Sequence, residues 1–240
     1  KLGPFMAMCR FMPEGVTSAV SQKAVVRITP STLADSAAAD FDILRIFYGN
    51  TYGRVSVTVK ADWRVVLIDT LQTGSRTHEI TCGLEGGKDI LIEFEGKVSP
   101  DIYGISIESS KGIIVDNIPQ RGSAGLEFTM VNKTGLEEIY KMIGPDLFIL
   151  QFGLNIVKNV RKDYSYYEKG LYRQITLLKE ICPQTPVLVV SLTDMARSVG
   201  DSLNSYPNIA PIRDAQKAAA LRAGVAFWDS FEAMGGESSI

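Results

Sequence analysis

The spacing of apolar residues changes once along this chain, near Lys133, and no single fold class accommodates both halves. From Ala24 to about Pro119 apolar and polar residues alternate. Arg54-Val-Ser-Val-Thr-Val-Lys60 puts Val55, Val57 and Val59 on one face and Ser56, Thr58 and Lys60 on the other, and 89–95 repeats the pattern with Ile90, Ile92 and Phe94. Similar runs lie at 42–48, 64–70, 76–82, 101–108 and 112–118. Turn formers separate them: Gly49-Asn50, Gly74-Ser75, Gly86-Gly87 and Ser99-Pro100. Many short strands with no helical pattern between them predict an antiparallel β-sandwich over 1–111.

Beyond Lys133 the rhythm is that of an α/β fold. Thr134-Gly-Leu-Glu137 has the form of a capping box, opening a helix that turns Leu136, Ile139, Tyr140 and Ile143 to one side and stops at Gly144-Pro145. The apolar run 146–151 predicts a strand buried on both faces. A helix over about 164–181, a strand at 186–192, a helix from Pro211 to Gly224 and a short strand at 225–228 follow. Such alternation implies a parallel sheet with helical crossovers, a three-layer α/β module over 112–240.

Composition excludes several functions. With 45% hydrophobic and 22% charged residues the chain is globular, and 25 basic against 27 acidic side chains provide no electrostatic footprint for nucleic acid. No apolar stretch reaches the ~20 residues of a membrane span. Three cysteines, Cys9, Cys82 and Cys182, are too scattered for a disulfide framework or a zinc knuckle. A single histidine, His78, excludes a multi-His metal site, and no cofactor is expected. Lys1-Leu-Gly-Pro-Phe-Met does not read as a signal peptide; a processed or excised start is the expectation.

In parallel α/β sheets ligands gather beyond the carboxyl ends of the strands. The run at 112–118 empties into Pro119-Gln-Arg-Gly-Ser-Ala-Gly125 and the run at 146–151 into Phe152-Gly-Leu-Asn155. The strand at 187–192 leads to Thr193-Asp194 and that at 225–228 to Asp229-Ser230. A glycine loop and an asparagine at neighbouring strand ends can direct a backbone N–H and a side-chain amide at one point, as oxyanion stabilisation in acyl transfer requires.

At these residues the chain resembles the SGNH (GDSL-type) esterases and acylhydrolases. The segment 146–155, ending Gly153-Leu-Asn155, is similar to the block whose asparagine enters the oxyanion hole. Asp116-Asn-Ile-Pro-Gln-Arg-Gly122 is similar to the block whose glycine N–H is another donor. Segments 163–170 and 226–236 resemble the extracytoplasmic bacterial branch that carries a jelly-roll-like β-sandwich insert. The resemblance implies a hydrolase acting through an acyl-serine, with a carbohydrate O-acetyl ester as substrate and a periplasmic or extracytoplasmic location. It implies that Gly122 and Asn155 hold the oxyanion, with Arg121 and Asp194 as substrate-binding candidates. The family's Gly-Asp-Ser and Asp-x-x-His blocks do not occur where the pattern needs them, so the expectation is that nucleophile and base lie outside residues 1–240. The alternative is a non-catalytic glycan-binding protein with a degenerate SGNH-like half.

Three features invite a different reading. Gly200-Asp201-Ser202-Leu203 is a literal GDSL, but it lacks a strand before and a helix after, and it follows the Gly-x-Asn block; a solvated turn is expected. His78 shares a strand face with Ile80 and Cys82 and is expected to be a packed sandwich residue. Tyr164, Tyr166 and Tyr167, at helical spacing, are expected in the core and on its rim.

Overall fold

A computed structural model describes residues 9–13, 15–30, 41–118 and 122–239. The chain divides into two compact units, residues 1–117 and 118–240.

The first unit holds β1 (Gln22–Ile28), β2 (Ile43–Gly49), β3 (Val55–Ala61), β4 (Arg64–Thr70), β5 (His78–Gly83), β6 (Ile90–Gly96) and β7 (Asp101–Glu108). They form two antiparallel sheets, ordered β1-β6-β3-β4 and β5-β2-β7. Alternation decides which face is buried: Val55, Val57, Val59 and Ala61 of β3 are fully buried, with Ser56, Thr58 and Lys60 half-buried between them. These side chains share one apolar cluster with Ile90, Ile92 and Phe94 of β6 and with Leu44, Ile46 and Tyr48 of β2, so both sheets contribute to a single core. His78 lies on β5 opposite Tyr48, with the rings 5.6 Å apart.

The second unit contains α1 (Lys133–Ile143), β8 (Phe148–Gln151), α2 (Leu154–Val157), α3 (Ser165–Ile181), β9 (Val187–Val190), β10 (Ala196–Val199), β11 (Ser202–Ser205), α4 (Ile209–Ala223), β12 (Ala226–Trp228) and α5 (Ser230–Ala233). β8, β9 and β12 form a parallel sheet ordered β12-β9-β8. Gly144 and Gly224, at φ 65°, end α1 and α4 in the left-handed conformation that glycine adopts without a Cβ clash.

Four local expectations are corrected. The cap of α1 is Asn132, whose side chain accepts from Gly135 N at 3.1 Å, while Glu137 instead pairs with Lys141 at 2.8 Å. Asparagine two residues before Thr134 satisfies one of the helix's orphan N–H groups and displaces the capping box. Residues 112–118 form no strand: no described strand pairs with them, and Ile113 is 93% exposed. Segment 196–205, read as loop, is a hairpin in which Val199 pairs with Ser202 across Gly200-Asp201.

The fourth concerns the layers. Leu150, Val189 and Phe227 stand side by side across the sheet with Phe148 and Val187, and α1, α3 and α4 pack on that side through Tyr140, Ile175, Leu178 and Ala219. The other face carries Ile149, 58% exposed, level with Leu188 and Ala226, and Trp228, 54% exposed. Among the described residues this unit thus has helices on one side of its sheet, and β8 is buried on one face only.

Candidate functional site

The carboxyl ends of β8 and β9 are fixed by one side chain of α4. Gln216, 1% exposed, donates through Nε2 to Phe152 O at 2.9 Å and accepts at Oε1 from Leu192 N at 3.0 Å. Each of those backbone groups sits where its strand has ended and no ladder partner follows, so the amide supplies the missing donor and acceptor. The chain then turns at Gly153, φ 112°, where a Cβ would stand 3.0 Å from Gln216 Nε2 and 3.2 Å from Leu192 Cβ. Glycine is needed there twice over, for its backbone angle and for space. The single turn α2 follows and carries Asn155.

The loop facing Asn155 is tied from below. The Ser123 hydroxyl donates to the Glu127 carboxylate and accepts from Gly125 N at 2.9 Å, and Glu127 also accepts from Leu126 N at 2.8 Å. Gly125, at φ 78°, lies against Phe152; a Cβ there would be 2.5 Å from the ring. From α3, Tyr167 donates to Ala124 O at 3.0 Å, and Gln174, 2% exposed, donates to Leu126 O at 2.9 Å and accepts from Thr129 N at 2.9 Å. Burial pushes the Tyr167 phenol well above its ordinary range, so it stays a neutral donor.

On this base Asn155 Nδ2 donates to Ser123 O at 2.6 Å, a bond spanning 32 residues of sequence. It joins the asparagine to the residue directly after Gly122, which has φ 80°. A carboxamide carries two N–H donors, and this bond uses one of them. Asn155 also lines a cleft of about 420 Å³ with Leu154, Lys158, Asp194, Met195 and Ala196. Lys158 is exposed there. Asp194, 2% exposed, accepts from Met195 N at 2.8 Å, Ser205 Oγ at 2.7 Å and Ser239 N at 3.2 Å. Its carboxylate thereby staples the β10–β11 hairpin to the strand end it follows.

Asn155, Asp194 and the loop after Gly122 therefore meet at one end of the parallel sheet. Arg121, with Pro119 and Gln120 of the same motif, lies outside the described residues. Ser202 opens β11 on an exposed hairpin whose first loop residue, Gly200, has φ 60°. It has neither the buried strand nor the helix of a nucleophile turn. Ser191 is fully buried and bonded to Phe231 N at 3.2 Å. Burial raises the pKa of the Cys182 thiol, which disfavours the reactive thiolate. The second unit has no imidazole, since the chain's one histidine is His78. Tyr164 and Tyr167 are core residues, and Tyr166, 38% exposed, is on the rim beneath the Arg161 guanidinium at 4.7 Å.

Sequence reading missed Gln174, Gln216 and Lys158. The glutamines had a legible signal: each stands at helical spacing among apolar neighbours, Leu171, Ile175 and Leu178 for one and Ile212, Ala219 and Ala220 for the other. Lys158 had none. Among the described residues no group of His, Cys, Asp and Glu is arranged to hold a metal ion, and no helix is long and apolar enough to cross a membrane.

No protein-family profile and no curated protein matches the chain. Solved structures do. A structure entitled "Peptidoglycan O-acetylesterase in action, 5 min" aligns over 100% of this chain and 72% of its own, with 16% identity and a TM-score of 0.66. Similarity to a salicylyl-acyltransferase from a tetracycline biosynthetic pathway (18% identity, 83% and 70% of the two chains, TM-score 0.31) is too low to support an argument. So is that to a family two carbohydrate esterase from Cellvibrio japonicus (9%, 87% and 88%, 0.30). The first alignment is a likeness of fold.

Proposed function

We propose that this protein is an SGNH-type ester hydrolase that removes O-acetyl groups from a glycan, and that Asn155 and Gly122 form its oxyanion hole. One observation carries the reading: the Asn155 amide, at the carboxyl end of β8, is hydrogen-bonded to the carbonyl of Ser123, the residue after Gly122. Likeness of fold to a peptidoglycan O-acetylesterase supports it and favours a polysaccharide ester outside the cytoplasm. In this reading residues 112–240 are the hydrolase module, and residues 1–111 are a jelly-roll-like β-sandwich insert whose two sheets share one core.

The chemistry is acyl transfer to a serine. The serine Oγ attacks the acetyl carbonyl carbon as a histidine takes its proton, and the carbonyl oxygen becomes an oxyanion. The remaining Asn155 N–H and the Gly122 N–H donate to that oxyanion. Collapse expels the sugar oxygen, which takes the proton from the histidine; water then cleaves the acyl-serine by the same route and releases acetate. No residue of 1–240 is assigned as the serine, histidine or aspartate of this mechanism. Arg121 and Asp194 border the sugar, Asp194 chiefly by holding the hairpin that walls the cleft. Lys158, exposed on the wall of the same cleft, adds a cation to it.

The test is acetate release from O-acetylated peptidoglycan, and from 4-nitrophenyl acetate, by the protein in its full natural length. Asn155→Ala is expected to lower kcat by ~10²–10³-fold with little change in KM, since the donor acts on the transition state. Ser202→Ala is expected to leave kcat unchanged. No acetate release, or release insensitive to Asn155→Ala, refutes the assignment.

A further inference from the structure

The first unit contains a second cleft, of about 630 Å³, at the end of the sheet where β3 begins and β6 finishes. Its walls include Tyr52, Arg54, Ser56, Glu95, Lys97 and Thr17. That volume lies within the ~300–1,000 Å³ of small-ligand sites.

The charges are arranged unusually. Val55 pairs with Gly96 in the β3–β6 ladder, and one step further the same antiparallel register sets Arg54 against Lys97. Like charges placed across a ladder repel and destabilise it. Elsewhere on this sheet cations are matched: Lys23 and Lys60 both reach Glu93, at 2.5 and 2.8 Å, and Arg27 reaches Asp89 at 2.5 Å. Arg54 and Lys97 form no ion pair with a described carboxylate. The backbones approach closely here, since a Cβ on Gly96 would stand 2.8 Å from Arg54 O. The two cations thus flank a place that an anion can enter.

The aromatic wall is fixed in advance. Tyr52 is 72% exposed, yet its hydroxyl donates to Asn50 Oδ1 at 3.3 Å. Asn50, at φ 48°, donates through Nδ2 to Asp101 at 2.7 Å and to Tyr103 at 3.3 Å. Asp101 is 2% exposed and paired with Arg10. A left-handed asparagine and a buried ion pair therefore hold an apolar ring face out in water, which loses hydrophobic stabilisation unless something covers it.

We infer that this cleft binds an acidic sugar, with a pyranose ring stacked on Tyr52 and its carboxylate between Arg54 and Lys97. A pyranose presents a C–H face to the aromatic ring and hydroxyls to its edges. Ser56, Thr17 and Glu95 can each bond those hydroxyls as donor or acceptor. An acidic peptide would use the two cations but leave the ring face and the hydroxyl-bearing wall without a matching partner. The site is in the unit that lacks Asn155, and the inference does not depend on the hydrolase reading.

Calorimetric titration of the full chain at low salt tests it, with trigalacturonic acid and N-acetylmuramic acid as probes. Their carboxyl-reduced counterparts and triglutamate are the comparison ligands. At least one sugar acid is expected to bind, with its reduced counterpart and triglutamate both at least about tenfold weaker. Tyr52→Ala, Arg54→Gln and Lys97→Gln should each weaken binding about tenfold; Tyr52→Phe, which keeps the ring but loses its hydroxyl anchor, should weaken it less than Tyr52→Ala, and Asn155→Ala should leave it unchanged. Amide NMR spectra of the variants confirm that each stays folded. Failure of both sugar acids to bind, equal binding of the reduced sugars or of triglutamate, or indifference to Tyr52→Ala would overturn the inference.

Discussion

Replacing Gln216 by methionine keeps the length, approximate volume and helix propensity of the side chain while removing its hydrogen bonds. Two backbone groups lose their partner, Leu192 N–H (3.0 Å) and Phe152 C=O (2.9 Å). Leu192 is 1% exposed, so its N–H cannot turn to water, whereas Phe152 is half-buried and its carbonyl can recover part of the loss. An orphaned buried polar group costs about 1–3 kcal/mol, giving ~2–4 kcal/mol for the pair. Burial of the thioether returns on the order of 1 kcal/mol, leaving a net loss of about 1–3 kcal/mol. Against a domain stability of ~5–15 kcal/mol that is a large fraction. Urea unfolding followed at 222 nm reports on the second unit, which contains all the described α-helices. With a urea slope of about 1–2 kcal/mol/M for a unit of this size, the midpoint should fall by at least ~0.5 M. Amide exchange should show Leu192 losing protection while the strands of the first unit keep theirs. A midpoint within ~0.3 M of the parent would mean that Gln216 does not clamp the strand ends, and the account of how Gly153 and Asn155 are positioned would fail with it.

Three further outcomes follow from the same geometry. Gly125→Ala meets the Phe152 ring at 2.5 Å and keeps a positive φ, whereas Gly122→Ala, also at positive φ, has no atom within 4 Å. The first should cost about 2–4 kcal/mol and the second about 1 kcal/mol in urea titrations; equal costs would refute the packing role of Gly125. In the first unit, hydrogen bonds from the Asp89 and Lys88 amides, from Arg27, and from Lys23 with Lys60 hold the carboxylates of Asp62, Asp89 and Glu93, respectively, below their ordinary range. Their stabilisation is complete above the unfolded values near pH ~4 and is lost as pH falls through the lower folded values, so thermal melts should show this unit weakening only in acid; a melting temperature flat down to pH ~2 would refute it. Finally, Trp63, at φ 67° in the two-residue turn joining β3 to β4, holds a position where such turns prefer glycine. Trp63→Gly should raise stability by ~0.5 kcal/mol, the left-handed penalty less the lost Arg27 contact over the ring at 5.4 Å. A lower melting temperature would show that the indole is held by more than Arg27.

Helix caps and hairpins show how local information competes. Thr134 and Glu137 fit a capping box, yet Asn132, earlier and equally able to accept an N–H, takes the position. Segment 196–205 has too little apolar alternation to announce a hairpin. Its strands are exposed, and the pairing is stabilised by Asp194 reaching Ser205 across the chain.

Apart from 112–118 and the hairpin at 196–205, the sequence by itself determined the main strands and helices, because alternation by twos and by three to four residues reports directly which side of an element avoids water. It also located the end of β8 that leads to Asn155, whereas the glycine loop at 119–125 follows no described strand. Only the tertiary structure decided that residues 112–118 have no ladder partner, that β8 is exposed on its second face, and that Asn155 bonds Ser123. Those outcomes depend on groups far apart in the chain satisfying one another's buried polar atoms. Gln216 shows why they are not legible locally: a glutamine on an apolar helix face is a defect until two strand ends arrive to use both ends of its amide.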